Sequence, residues 1–421
     1  MNKNIFSNNL LIISERKYRL LNTFWIALII FLTLSILSGF SLIPQKLADY
    51  SRILIAIGLL AVGGQLIKLS GKNSFLQFIF LVYLAWQIGI IARGGLTFDF
   101  KSFVTTLISP SGYLPYLVPI IVLFPVNLNF YKKLFEIIFV AGIIFLCLNV
   151  LFIKYLLDRS FETQNVIESF ATLSIPSGFF LLTYKYHSFR KNIILVGVMV
   201  ISLLFSIYKA RRGLSSITLA ILISSYFIYL IETKRKIVVL YFSVLCILLT
   251  ALKFSDTYRL GQNKLLGFMM ERGEADTRTG VELYFYADMD HTDWIIGKGF
   301  DGKYFCPNVD RDQVTDYRSY IETGYLNIIL KGGIVSLSLY LIILVPAVFL
   351  NLFFSKNMLS KAAGIWIIIS IIELYPTSIA GYDLNYLLVW ISVGIGYSRQ
   401  VRNLSNQYLT DFFKNPYRIA S

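Results

Sequence analysis

Ionisable side chains are scarce in this sequence. Asp, Glu, Lys and Arg make up 15% of its 421 residues, where a soluble domain carries about a quarter, and that shortage excludes an ordinary water-soluble fold. Acids are the scarcer sign, 24 against 39 Lys and Arg. Histidine occurs only at His187 and His291, and cysteine only at Cys147, Cys246 and Cys306. Those numbers leave no ligand cluster and no disulfide framework, so no metal or cofactor is expected. Cys147 and Cys246 fall inside apolar runs, as packing residues do, and Cys306 lies by itself in a polar stretch. Two further features are missing. No internal repeat of the kind found in secondary transporters is visible, and no small-residue cleavage site follows the first apolar run, which therefore reads as a first membrane helix.

What the chain has in excess is apolar length. Hydrophobic residues make up 56% and the mean hydropathy is +0.66. A helix needs about 20 apolar residues to cross about 30 Å of hydrocarbon. Runs of that order begin near Leu21, Arg52, Ser74, Ser111, Lys133, Val166, Asn192, Gly213, Ile237, Tyr325, Ala362 and Leu384. The fold class expected is an all-α polytopic membrane protein with about twelve transmembrane helices and a large outer loop between helices 9 and 10. The eleventh run is the weakest, stopping at Glu373 and Pro376. The chain then divides into helices 1–9 (residues 1–252), the loop (253–322), and helices 10–12 with a tail (323–421).

Lysine and arginine set the orientation. With the N-terminus inside, the cytoplasmic segments carry twenty of them and the short outer loops nine. Both ends are then cytoplasmic and the long loop lies outside. Much of the net charge of +15 is accounted for by topology, so it is no footprint of nucleic acid. Against that rule, the seventh and eighth spans are joined outside by Lys209-Ala210-Arg211-Arg212-Gly213. Arginines at this depth either snorkel to headgroups or hold an anion. Three cations on the disfavoured side favour the anion, and the planar guanidinium fork matches phosphate oxygens. The long loop holds 13 of the 24 acids together with Tyr284, Tyr286, Trp294, Tyr304, Tyr317 and Tyr320. Carboxylates and aromatic faces suit a carbohydrate, and they equally suit any folded, solvated loop.

Within that loop, Arg278 and Glu282 have the spacing of a short amphipathic helix, and Gly297-Lys298-Gly299 forms a turn that lets backbone pass close to a neighbour. Glu322-Thr323-Gly324-Tyr325-Leu326 then leads back into the membrane towards Lys331-Gly332-Gly333-Ile334. A glutamate at this boundary can act as a base under partial desolvation, or simply favour a helix N-terminus through the dipole.

The order of these features resembles the family of bacterial surface-polysaccharide polymerases and ligases, the Wzy-type O-antigen or capsule polymerases and the O-antigen ligases. The resemblance rests on Arg212-Gly213 opening the eighth span with Arg211 beside it, on Arg278 ahead of Ile296-Gly297-Lys298-Gly299-Phe300, and on Glu322 through Ile334. The topology is matched along the whole chain, the motifs over about 80 residues. The ligases carry His-Asn where this chain has Glu322-Thr323, a departure that favours the polymerase branch.

The resemblance implies transfer of a glycan from an undecaprenyl-diphosphate donor to a hydroxyl of an incoming lipid-linked repeat unit, on the outer face of the bacterial inner membrane. In that reading Glu322 is the base, and Arg211, Arg212, Arg278 and Lys209 neutralise the leaving diphosphate without a metal. Arg93, Arg318, Tyr325 and Lys331 are further candidates for substrate contacts. Glu168, Lys331 and Glu373 can line a wet cavity. The partners implied are undecaprenyl-diphosphate-linked glycans, membrane lipid and a chain-length regulator protein, with no nucleic acid. The competing readings are an O-antigen ligase and a lipid-linked oligosaccharide flippase, whose functional charges would lie nearer the bilayer midplane.

Overall fold

The computed structural model describes residues 14–39, 44–67, 74–94, 103, 106–107, 109, 112–124, 127–158, 164–209, 211–232, 278–307, 315–377 and 381–414. Seven helices among them are long and apolar enough to cross a membrane. They are α1 (Glu15–Gly39), α2 (Gln45–Leu66), α3 (Ser74–Ala92), α5 (Leu128–Leu151), α9 (Phe189–Tyr208), α10 (Arg212–Glu232) and α13 (Gly324–Phe353). Their outward faces carry bare Ile26, Leu54, Phe78, Val150 and Phe353, a pattern suited to lipid and costly in water. The protein is membrane-embedded, and its described residues are mostly helical.

Where the apolar run from Ser111 predicts a full span, the chain forms only α4 (Leu114–Leu117) and a 3₁₀ turn over Val118–Leu123. Pro115 and Pro119 remove two backbone donors from a stretch that would otherwise continue as an α-helix. The run near Val166 is likewise divided, into α7 (Gln164–Ser174) and α8 (Ser177–Leu182), with Pro176 between them. A short α6 (Ile153–Leu157) precedes this pair. The weak eleventh run forms α14 (Met358–Glu373), followed by α15 (Leu384–Tyr397), α16 (Arg399–Arg402) and α17 (Asn406–Lys414). At 1.5 Å per residue α15 reaches only about 21 Å. The ninth expected span, from Ile237, and residues 253–277 of the long loop lie outside the described residues.

The core is aromatic. Trp390 of α15 is fully buried against Tyr83 of α3, with ring centroids 5.3 Å apart, and against Phe80 and Tyr340.

The described part of the long loop contains α11 (Arg278–Asp288), α12 (His291–Ile296) and an antiparallel pair, β1 (Tyr304–Phe305) with β2 (Tyr317–Arg318). Asp290 and Asp293 form a reciprocal capping box at the start of α12. The segment has a small core of its own. Val281, Phe285, Met289, Tyr304 and Cys306 pack on Ile321 and on Leu326, Ile329 and Leu330 of α13, so the loop is seated on the first turns of that helix. Cys306 is fully buried there, whereas Cys147, expected to pack inside its apolar run, is exposed on the outward face of α5 and Cys246 lies outside the described residues.

The attachment depends on a break in α13. At Gly333 the backbone turns to φ 69°, ψ −176°, a region that only glycine enters without strain. The break strips the carbonyls just before it of their i+4 donors, and the loop supplies replacements. The Lys298 amide donates to Leu330 O at 2.7 Å and the Gly299 amide to Lys331 O at 3.0 Å, while Trp86 Nε1 of α3 donates to Gly332 O at 3.1 Å. A Cβ on Gly297 would sit 2.5 Å from the Gly332 nitrogen. The neighbour that the Gly-x-Gly turn approaches is therefore the broken helix itself.

Candidate active site

Three motifs far apart in sequence converge on one turn, Glu373 to Thr377, at the end of α14. From α10, Ser216 Oγ lies 3.2 Å from Glu373 Oε1, and Gly213 faces the Pro376 carbonyl. From the N-terminus of α11, Arg278 Nη2 donates to Pro376 O at 2.7 Å. From α13, the Tyr325 amide donates to Leu374 O at 3.2 Å. Gly324 is obligatory at this approach, because a Cβ would lie 2.6 Å from Thr377 O.

Two ion pairs sit on this platform. Arg278 Nε is 3.4 Å from Glu322 Oε2, and Arg211 Nη1 is 3.1 Å from Glu168 Oε1 on α7. The carboxylates of Glu168 and Glu322 are near enough for their charges to act on each other, so the two pairs form one patch. The arginines are the more covered members, 22% exposed at Arg211 and 36% at Arg278, against 52% and 61% for Glu168 and Glu322. Such half-exposed pairs contribute little to stability and can exchange partners. A diphosphate offers each arginine the same fork-shaped acceptor that its carboxylate now provides.

Arg211, Arg278 and Glu322, which the sequence reading assigned to one centre, are thus neighbours. Arg212 opens α10 with an exposed side chain. Glu322 is less desolvated than its position at a membrane boundary led us to expect, and its ionic surroundings come from Arg278. The Arg278–Glu282 spacing does correspond to a helix, but the two side chains part. Arg278 turns to Glu322, while Glu282 accepts a hydrogen bond from buried Thr323 Oγ1 at 2.5 Å. Tyr325 is hydrogen-bonded to Tyr286 of α11, which ties the loop to the same helix start.

Lys209, Arg93 and Lys331, also predicted for substrate, each hold backbone carbonyls. Lys209 is buried and its ammonium donates to Tyr155 O at 3.0 Å and to Asp158 O, covering the carbonyl end of α6. Arg93 donates to Ile296 O at 2.6 Å and Gly297 O at 3.2 Å, with its guanidinium 5.5 Å from the Trp86 ring centre. Lys331 donates to Phe300 O at 2.8 Å and Gly302 O at 2.9 Å. Arg318 lies in β2, paired across the hairpin with Tyr304. Sequence reasoning missed the role of Pro376, whose carbonyl anchors Arg278. A main-chain acceptor carries no side-chain signal in a sequence.

The chain matches no family model, no characterised protein and no solved structure with which it was compared.

Proposed function

We propose that this protein is a membrane glycosyltransferase that polymerises undecaprenyl-diphosphate-linked oligosaccharide repeats into a surface polysaccharide, an O-antigen or a capsule, at the outer face of the bacterial inner membrane. The observation that carries the reading is the patch in which Arg211 and Arg278 stand with Glu168 and Glu322 at the mouth of the helices.

In this mechanism the donor's diphosphate replaces the carboxylates as the partner of Arg211 and Arg278, with exposed Arg212 in reach of the same headgroup. The arginines then neutralise charge that grows on the leaving phosphate oxygen. Glu322, released from Arg278, accepts the proton of the acceptor hydroxyl. The hydroxyl oxygen bonds to the anomeric carbon as that carbon's bond to phosphate breaks, and undecaprenyl diphosphate leaves.

The test is a polysaccharide gel from cells lacking the gene and complemented with variants. The deletion should collapse the ladder to carriers bearing one repeat, and neither Glu322→Gln nor Arg278→Ala should restore it. Removing a general base typically costs about 10²–10⁴ in rate. Full-length polymer retained on its lipid carrier would instead identify a ligase, and an unchanged ladder would overturn the assignment for that glycan.

A further inference from the structure

Next to the ion-pair patch, between α3, α4, α13 and α15, lies a cavity of about 360 Å³, large enough for a small ligand. Gly324 and Leu374 belong to its lining, so it begins one turn from Glu322. Its walls combine two kinds of surface. Phe300, Tyr83, Tyr116 and Tyr386 present rings, the Tyr83 and Tyr386 hydroxyls being bonded to each other. Gln87, Ser336 and Tyr340 present polar groups. These three are 6%, 4% and 3% exposed, and none has a hydrogen-bond partner among the described residues.

Buried polar side chains are nearly always hydrogen-bonded, and leaving one bare costs about 1–3 kcal/mol. Three bare ones around one cavity point to contents that both donate and accept hydrogen bonds. Arginine and histidine are absent from the lining, the Lys331 ammonium at its edge already donates to two carbonyls, and Lys303 is matched by the carboxylate of Asp301 in the same wall, so no cation is left over to select an anion. Flat apolar faces with an amide and hydroxyls between them fit a neutral, hydroxylated ring.

We infer that this cavity is a sugar subsite holding one neutral pyranose ring of the glycan whose reacting end lies at Glu322. Gln87 and Tyr340 are its specificity-determining contacts. The substrate identity rests on the glycosyltransferase reading, whereas the binding of a neutral sugar does not.

The experiment uses the full chain in lipid nanodiscs and saturation-transfer NMR with a millimolar panel of neutral methyl glycosides, alongside farnesyl diphosphate binding in the same samples. At least one glycoside should bind the wild type. Gln87→Leu and the milder Tyr340→Phe, each checked by gel filtration for an intact fold, should weaken it about three- to tenfold. Arg278→Ala should leave sugar binding intact and weaken the diphosphate. Absence of any glycoside signal, or equal signals in wild type and both cavity variants, overturns the subsite and leaves the cavity to water. Sugar binding without diphosphate binding would retain the subsite and remove the mechanism proposed for the ion-pair patch.

Discussion

Gly333 shows how one position can hold an assembly together. Its φ of 69° and the closeness of Ile295 O leave no room for a side chain. Gly333→Ala combines backbone strain of about 1–3 kcal/mol with a steric clash, and it should release the loop from α13. Thermal unfolding in detergent should show a midpoint several degrees below wild type. Gly197, on α9, has nothing near its missing Cβ, so Gly197→Ala is the control and should leave the midpoint at or slightly above the wild-type value. A Gly333→Ala protein as stable as wild type would show that the break is not required. Glu322 was legible in the sequence because it marks the point where the polar loop meets an apolar run, and Arg278 because it precedes the Gly-x-Gly turn. The duties of Arg93, Lys209 and Lys331 were not. A cation facing a phosphate and a cation facing a freed carbonyl look the same in one dimension.

The loop has an electrostatic fastening within itself as well. Lys298, in the Gly-x-Gly turn, is 2.5 Å from Asp288 and 3.4 Å from Asp293, with all three side chains mostly covered. Burial alone would lower its pKa, but the hydrogen bonds and charges of the two aspartates outweigh it and the net shift is upward. A raised lysine pKa stabilises the fold fully below the unfolded value of about 10.4, and the contribution is lost as pH rises through the higher folded value. Hydrogen exchange over residues 288–300 should therefore keep its native protection through the neutral range and lose it only in strong alkali. Lys298→Met should weaken that protection at neutral pH while helix α5, far from the contact, keeps its own. Uniform loss in both would refute a local role. The first short helix of the loop was readable from Arg278–Glu282, while the second and its Asp290–Asp293 cap came to light only in the structure. The break in α13 was visible only as a glycine pair, because helix spacing continues on both sides of it.

For the molecule as a whole, the distribution of Lys and Arg predicts that the loop and the C-terminal tail face opposite sides. Thr315→Cys in the loop and Asn403→Cys near the tail, both at exposed positions, test this in spheroplasts with a membrane-impermeant maleimide. Thr315→Cys should label in intact cells and Asn403→Cys only after lysis. The reverse pattern would invert the topology and move the ion-pair patch to the cytoplasmic face.

Membrane embedding was determined by the sequence alone, since apolar run length and charge scarcity are properties of consecutive residues. So was the identity of the few charged side chains available for chemistry. Which of those charges meet was decided by tertiary structure. Arg211, Arg278 and Glu322 are brought together by a turn at Pro376 whose contribution is main-chain carbonyls and tight approaches to glycine. The cavity beside them is lined from four helices and the loop, and no stretch of sequence contains it. Contacts of this kind depend on how broken and shortened helices pack, and such geometry leaves no periodic trace in the chain.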